Sequence, residues 1–223
     1  MTRMFAILLA AVLAAVLGDG VAPPLQAQQT RLTEEQIKSA EIEVPLLVDV
    51  LGLKPGMTLA DVGAGFGAWT TRFSKALGPS GRVFATDLGA PQLQALREAI
   101  TRDGLGNVTV IEGAVDATKL PAGCCDAIVV RDAYHHFTQP DALVRSLAAS
   151  LKPGGRLAVI DFPPRPNTPV PEGVPANRLG HGVPPEVIQK EVGAVLTHVR
   201  TTPMWAPNSQ PASLFLVLFR KAP

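Results

Sequence analysis

An aspartate and a glycine-rich turn form the stretch of this chain with the clearest chemical meaning. The segment reads Leu59-Ala-Asp61-Val-Gly63-Ala-Gly65-Phe-Gly67-Ala-Trp-Thr70, an apolar run followed by glycines and the start of a helix. Glycines let the backbone approach a ligand closely, and N–H groups at a helix start are free to bind it. Asp61 stands directly before the turn, where a carboxylate would repel a pyrophosphate and attract a cationic amino group. The segment therefore predicts a site for a small ligand that carries an ammonium group.

Four further motifs follow along the chain, each at or just after the end of a predicted strand, or at the turn into the next. They are Val83-Phe-Ala-Thr-Asp87, Asp116-Ala-Thr-Lys-Leu-Pro121, Asp126-Ala-Ile-Val-Val-Arg-Asp-Ala-Tyr-His-His-Phe137 and Leu151-Lys-Pro-Gly-Gly-Arg156. The carboxylate of Asp87 can accept two hydrogen bonds from a vicinal diol. Open α/β sheets bind ligands at the carboxyl ends of their strands, so we expect these side chains to meet there.

In their order and spacing, the five motifs resemble those of the class I S-adenosylmethionine-dependent methyltransferases, and the resemblance covers roughly residues 33 to 223. It implies S-adenosylmethionine as cofactor. Asp87 would bind both ribose hydroxyls, and Asp116 would lie by the adenine amino group. The implied cofactor-binding residues are Asp61, Gly63, Ala64, Gly65, Gly67, Asp87, Leu88, Ala114, Val115, Asp116 and Arg131.

The segment that follows Arg131 is the candidate catalytic segment. We expect Asp132, Tyr134, His135 and His136 to line the site where the methyl group emerges. A neutral histidine can take a proton from a hydroxyl, an amine or an acidic carbon as it is methylated, and Asp132 could orient it or bind the acceptor. A histidine that packs under the cofactor and a Tyr134 that only stacks on the methionine end are the alternatives. Proximity and alignment alone can supply much of the rate enhancement.

Strand and helix patterns alternate along the chain, which predicts right-handed crossovers and a parallel sheet. We expect an α/β, Rossmann-like fold with a seven-stranded, mostly parallel sheet, helices on both faces and an antiparallel C-terminal strand. Pro45 is expected to kink or split the first helix. Residues 162–183 form a Pro/Gly-rich loop in which Phe162, Arg165, Arg178 and His181 could shape the acceptor site.

The N-terminus has the pattern of an export leader. Arg3 precedes an apolar run of fourteen residues from Met4 to Leu17, which Gly18-Asp19-Gly20 interrupts. That run is shorter than the ~20 residues of a spanning helix. We predict a signal peptide over residues 1–27, a methyltransferase domain over residues 28–223, and a periplasmic or secreted protein. An uncleaved membrane anchor is the alternative, and it would be the chain's only membrane contact.

Composition excludes some classes of partner and site. The formal net charge is +1 and there is no Lys/Arg stripe, so no nucleic-acid partner is expected. The only cysteines, Cys124 and Cys125, are adjacent, and neighbouring cysteines rarely form a disulfide because the ring is strained. They also lack partners at metal-ligand spacing, and we predict no metal site.

These patterns predict methyl transfer from S-adenosylmethionine to a small-molecule acceptor, with two alternatives. A non-catalytic protein of the cell envelope that binds S-adenosylmethionine or a nucleoside is favoured by the lack of a methyl donor outside the cytoplasm. An NAD(P)-dependent oxidoreductase is suggested because Gly63-x-Gly65-x-x-Ala68 matches the dinucleotide fingerprint. Asp61 before the turn, the antiparallel end and the lack of a Tyr-x-x-x-Lys motif count against the oxidoreductase.

Overall fold

The structure, a computed structural model, describes residues 32–223, so the predicted leader lies outside the described residues. The helices are α1 Glu34–Leu51, α2 Ala68–Leu77, α3 Ala90–Arg102, α4 Pro140–Ser150 and α5 Pro185–Gly193. The strands are β1 Thr58–Val62, β2 Arg82–Asp87, β3 Val108–Glu112, β4 Cys125–Arg131, β5 Leu151–Asp161, β6 Thr197–Thr202 and β7 Phe215–Arg220. Within residues 32–223, none of the helices combines the length and the apolar character needed to cross a bilayer.

The strands form one seven-stranded sheet in the order β3-β2-β1-β4-β5-β7-β6. The first five strands pair in parallel, and β7 enters antiparallel between β5 and β6. The predicted mixed sheet with an antiparallel C-terminal strand is confirmed. The chain winds outward from β1 in one direction and from β4 in the other, so a crevice opens between their carboxyl ends.

Helices cover both faces of the sheet because the strands are apolar on both sides. Successive side chains of a strand point to opposite faces. Leu59 accordingly packs in a layer with Phe73 of α2, and Ala60 packs in the opposite layer with Leu147 of α4. Helices α1 and α2 bury their apolar residues in the first layer, and α4 and α5 bury theirs in the second. Packing in both layers thus fixes the position of the strand ends at the crevice.

The first helix is continuous through Pro45, so the proline does not split it as the sequence allowed. Thr33 begins it with a capping box to Gln36. Val44 and Leu47, on either side of the proline, are buried in the core. Burial of this apolar face offsets the hydrogen bond that the proline removes.

The adjacent cysteines are joined, contrary to the sequence-based expectation. A disulfide links Cys124 to Cys125 at the beginning of β4. Cys125 is buried as the first residue of the strand, and Cys124 is the residue directly before it.

Candidate active site

A cavity of about 440 Å³ opens at the carboxyl ends of β1, β2 and β4. The predicted site residues that line it are Asp61, Gly63, Ala64, Gly65, Asp87, Leu88, Ala114, Val115, Arg131, Asp132 and His136. They come from four separate segments of the chain, and the strand order brings them to one crevice. The size is within the range of small-molecule sites.

The glycine turn after β1 serves two purposes. Gly63 and Gly67 both have positive φ, and a Cβ there would lie 2.6 Å from the Cβ of Ala133 and 2.5 Å from Cδ1 of Leu96. Their role is close packing, and Gly67 does not line the cavity. At Gly65, by contrast, a Cβ would meet nothing within 4 Å. The space beside Gly65 is therefore open to a ligand, whereas Gly67, which was predicted to contact the cofactor, packs against Leu96.

Asp87 at the end of β2 is held by backbone groups. Its Oδ2 accepts from the N–H of Gly65 at 2.8 Å, and its Oδ1 accepts from Leu88 at 2.8 Å and Gly89 at 3.1 Å. A carboxylate offers about four lone-pair positions, so these three bonds leave capacity for a ligand hydroxyl. The carboxylate is thus set in a fixed orientation at the cavity wall.

Asp61 lies at the bottom of the cavity with only 2% of its surface exposed. Its Oδ2 accepts a hydrogen bond of 2.6 Å from the Thr70 hydroxyl at the start of α2. Burial raises the pKa of Asp61 to about 6, although the Thr70 hydrogen bond opposes that rise. The site is therefore suited to a cation that would hold this carboxylate in its charged form.

Arg131 reaches the cavity wall from the end of β4, and its charge is neutralised by a residue that sequence reasoning missed. Its Nη2 and Nε contact the two carboxylate oxygens of Glu43 on α1 at 2.8 and 3.2 Å. The guanidinium also lies 4.0 Å from the ring centre of Trp69. The Ser209 hydroxyl donates to Glu43, and the Gln210 carbonyl accepts from Arg131. This ion pair joins α1 and the segment before β7 to the cavity wall.

The signal that could have identified Glu43 was its position on α1. It stands beside Val44 and four residues before Leu47, on the side of the helix that faces the core, and its side chain is fully buried. A carboxylate on an apolar face needs a charged partner. The sequence shows the unusual placement but not the partner, which lies on a strand far along the chain.

Asp132 and His136 form the rim of the cavity beside the glycine turn. Asp132 has a φ of 56°, an uncommon conformation for a residue other than glycine and one that occurs at functional sites. Burial raises the pKa of Asp132 to about 6. Partial burial and the neighbouring imidazoles lower the pKa of His136 to about 4, so this histidine is neutral at pH 7.

Tyr134 and His135 do not line the cavity, which corrects the prediction that all four residues share one face. The Tyr134 side chain is fully buried, and its hydroxyl donates to Oε2 of Glu191 on α5 at 2.8 Å. His135 is also buried, with Nδ1 2.9 Å from Oδ1 of Asp161. The three residues Tyr134–His136 form a single 3₁₀ turn, in which successive side chains point in different directions.

Two further predicted residues differ in their placement. Asp116 is exposed and does not line the cavity, whereas Ala114 and Val115 before it do. Arg178 is fully buried in the loop of residues 162–183, where both its Nη atoms contact Glu191 at 2.9 and 3.1 Å. Arg178 therefore anchors the loop instead of facing an acceptor.

The same loop brings His181 to the candidate active site. The backbone N–H of Arg165 donates to the His181 carbonyl at 2.9 Å, which closes the loop on itself. The His181 ring then lies 4.9 Å from that of His135 and 5.7 Å from that of His136, between ring centres. His198 remains apart on β6, where its Nε2 lies 3.0 Å from the Thr201 hydroxyl.

Comparison with known sequences identifies similar domains. A family model described as a methyltransferase domain matches residues 59–155. The ubiquinone/menaquinone biosynthesis C-methyltransferase UbiE of Pasteurella multocida is 33% identical over 116 residues, which are 52% of this chain and 43% of that protein. The same-named protein of Hahella chejuensis is 31% identical over 124 residues, or 55% of this chain and 49% of that protein. The chain thus spans about half the length of these curated relatives.

Comparison with solved structures covers more of the chain. A SAM-dependent methyltransferase from Aquifex aeolicus superposes with a TM-score of 0.65 and 25% identity, over 85% of this chain and 99% of that one. The [4+2]-cyclase SpnF has a TM-score of 0.66 at 16% identity, over 80% of each chain. At 16% identity, the similarity to SpnF shows only a shared fold.

Proposed function

We propose that this chain, which is similar to S-adenosylmethionine-dependent methyltransferases in sequence and fold, transfers a methyl group from S-adenosylmethionine to a small-molecule acceptor. The observation that carries this proposal is the cavity in which Asp61, the open space beside Gly65 and the oriented carboxylate of Asp87 meet. Each of these groups suits a different part of the cofactor. The fold alone would not decide the reaction, since unrelated chemistries share folds.

The residues present fit S-adenosylmethionine. The buried carboxylate of Asp61 would hold the ammonium group, and the remaining lone-pair capacity of Asp87 would accept from a ribose hydroxyl. Ala114 and Val115 offer an apolar wall for the adenine ring. Asp116 would have to turn inward to reach the adenine amino group, because it is exposed. When bound, the cofactor supplies a sulfonium methyl group to a nucleophile aligned opposite the sulfur.

Asp132 and His136 would serve the acceptor. Both line the rim of the cavity next to the glycine turn, so an acceptor that enters there meets them first. While its ring nitrogen is free, a neutral imidazole at His136 can take the proton that the acceptor releases, and Asp132 can orient a hydroxyl or amine by hydrogen bonding. Arg131, held by Glu43, would close the wall and exclude water. Much of the rate enhancement would come from alignment.

The names of the relatives guide the choice of acceptor. Both curated relatives are named C-methyltransferases of ubiquinone/menaquinone biosynthesis. Electron-rich aromatic rings with a hydroxyl group are therefore the first acceptors to test. Catechols, small amines and thiols would follow as acceptors that have other nucleophilic atoms.

Residues 1–27 support a proposal on location. Their charged start and short apolar run are typical of a signal peptide, so the protein would be periplasmic or secreted, with an uncleaved anchor as the alternative. Export separates the enzyme from the cytoplasmic methyl donor. A non-catalytic S-adenosylmethionine-binding protein of the envelope is therefore the second candidate, and turnover distinguishes the two.

The test is calorimetry with S-adenosylmethionine, S-adenosylhomocysteine and NAD, followed by an acceptor screen that measures release of S-adenosylhomocysteine. We expect S-adenosylmethionine to bind and Asp87→Ala to weaken it by tens- to several-hundred-fold, since charge-assisted hydrogen bonds are lost. Asp103→Ala, at the exposed end of α3, is the matched control and should bind as wild type does. Binding of NAD without S-adenosylmethionine would refute the proposal, and binding without turnover of any acceptor would favour the envelope binder.

A further inference from the structure

We propose that His135, His136 and His181 bind a divalent transition-metal ion of the Zn²⁺ class beside the cavity. One ring nitrogen from each of these histidines lies within 4.8 Å of the others. Imidazole is a preferred ligand of such ions. The sequence concealed this set because His181 lies on a different loop from the adjacent pair. The proposal replaces the sequence-based expectation of no metal site.

His135 is already oriented as metal-binding histidines are. Its Nδ1 lies 2.9 Å from Oδ1 of Asp161, a carboxylate that is fully buried. Asp161 also accepts the backbone N–H groups of His135 and Phe162, so it cannot turn away. A carboxylate that accepts from one ring nitrogen sets the tautomer and leaves the other nitrogen free for a metal. For His135 the free atom is Nε2.

The imidazoles of His136 and His181 have no competing partner. Within residues 32–223, neither ring makes a hydrogen bond, and both rings lie close to that of His135. In contrast, His198 bonds to Thr201. A three-histidine site needs ring nitrogens that are free to bind the ion. His136 and His181 provide two such rings beside the oriented ring of His135.

The backbone on both sides of His181 holds that residue in place. A Cβ at Gly180 would lie 2.7 Å from the carbonyl oxygen of Arg165, and one at Gly182 would lie 2.7 Å from that of Pro163. The His181 N–H also donates to the Thr168 hydroxyl at 3.0 Å. The loop is thus built to bring this histidine against the 3₁₀ turn.

The spacing is compatible with a tetrahedral ion after small rotations. Zn–N bonds of about 2.0–2.1 Å place ligand nitrogens about 3.4 Å apart, so gaps of up to 4.8 Å must shorten. The rings of His136 and His181 can rotate to do so because no hydrogen bond holds them. Three protein ligands leave one position for water or for an oxygen of a bound molecule. His136 lines the cavity, so that position would be reachable from it.

The surrounding charge also suits a cation. Asp161 lies behind His135, and an oxygen of Asp132 lies within 4.8 Å of His135 and Asp161 ligand atoms. Two positive groups oppose them, namely the Arg165 guanidinium, 4.4 Å from the ring centre of Phe162, and Arg131, whose Nη1 lies 3.3 Å from Oδ2 of Asp132. Because Arg131 is also paired with Glu43, the set comprises three carboxylates and two guanidinium groups.

The test uses the full chain without an affinity tag, stripped of metal by chelation and titrated with Co²⁺, whose visible spectrum reports tetrahedral nitrogen ligation. We expect one Co²⁺ per chain, displaced by Zn²⁺, and at least tenfold weaker binding in His181→Ala and in His136→Ala. The chain has four histidines, so His198→Ala is the matched control and should bind as wild type does.

A second variant separates orientation from ligation. Asp161→Asn should weaken Co²⁺ binding by about 10- to 100-fold, because it removes the carboxylate that orients His135. Each variant is checked for folding by its thermal melt and by S-adenosylmethionine binding, which involves other residues. Absence of Co²⁺ binding to the wild type, or unchanged binding in His181→Ala, would overturn the metal site and leave the methyltransferase proposal intact.

Discussion

Asp61 illustrates how a single buried carboxylate can serve binding at the expense of folding. Its side chain is 2% exposed, and burial raises its pKa to about 6. An aspartate with a raised pKa contributes most to stability below its unfolded pKa of 3.8, and that contribution is lost as pH rises through about 6. At pH 7 the charged form therefore opposes folding. We interpret this as the consequence of keeping an anion ready for the cofactor's ammonium group.

Replacement of Asp61 should separate the two effects. Asp61→Asn keeps an oxygen for the Thr70 hydroxyl and removes the buried charge. We expect it to raise the free energy of unfolding at pH 7 by roughly 1–3 kcal/mol, at about 1.4 kcal/mol per pKa unit. We also expect it to weaken S-adenosylmethionine binding at least tenfold. Urea unfolding between pH 4 and pH 7 should show the stability difference growing through that interval. If the gain in stability of Asp61→Asn over wild type were no larger at pH 7 than at pH 4, the raised pKa of Asp61 would be contradicted.

The residues from Asp132 to His136 should also differ in function. His136→Ala and Asp132→Asn should keep their affinity for S-adenosylmethionine and lose turnover by ~10²–10⁴-fold, because both side chains line the cavity. Tyr134→Phe removes only the hydroxyl bonded to Glu191 and is the matched control. It should lower stability by about 1–3 kcal/mol and keep its turnover.

His135 should respond differently from His136. It is buried against Asp161, so His135→Ala removes a side-chain partner of that carboxylate and leaves a cavity, which should lower the free energy of unfolding by about 2 kcal/mol. Comparison of thermal melts for the two alanine variants checks this contrast. Equal melting temperatures and equal turnover for His135→Ala and His136→Ala would show that the two side chains do not have the different roles that their positions indicate.

At the scale of elements, α1 is joined to the sheet by a buried ion pair. Glu43 is fully buried and Arg131 is 7% exposed, with 2.8 Å between the charged atoms. The pair connects the helix to the end of β4, which is also the cavity wall. The segment before β7 joins the same network through Ser209 and Gln210. The wall therefore depends on three elements that are distant along the chain.

Two glutamates of α1 provide a direct comparison. Glu43→Ala leaves the charge of Arg131 buried without its main partner and should cost about 3–5 kcal/mol of stability. Glu41, on the same helix, is 61% exposed and pairs with Arg72, so Glu41→Ala should cost less than about 1 kcal/mol. Chemical unfolding of both variants measures the difference. Equal losses of stability in the two variants would show that the Glu43–Arg131 pair does not stabilise the cavity wall.

At the scale of the whole molecule, the prediction concerns the location of the protein in the cell. If residues 1–27 are a signal peptide, the chain expressed with its leader in a Gram-negative host should be found in the periplasm with Gln28 near its new N-terminus. Fractionation and N-terminal sequencing measure this, and a variant with Leu8→Arg and Leu13→Arg should stay in the cytoplasm because charges interrupt the apolar run. A cytosolic protein that retains Met1 would contradict export.

Local pattern was enough to predict the architecture and many of the residues that line the cavity. Strand ends such as Asp61 and Asp87 could be placed in one crevice because βαβ crossovers have one handedness and the glycine turn marks the switch from strand to helix. The parallel strands follow from the alternation of strand and helix patterns, and the antiparallel end follows from the short connection before the last strand. These features depend on neighbours in sequence, so the sequence displays them.

Contacts between distant segments were decided only by the tertiary structure. No local pattern shows that Glu43 reaches Arg131, or that the loop brings His181 to His135. The direction of each side chain in the 3₁₀ turn is likewise set by what packs around it, which is why Tyr134 bonds to Glu191 instead of facing the cavity. Side-chain partners are chosen by burial and charge in three dimensions, and spacing along the chain carries no record of them.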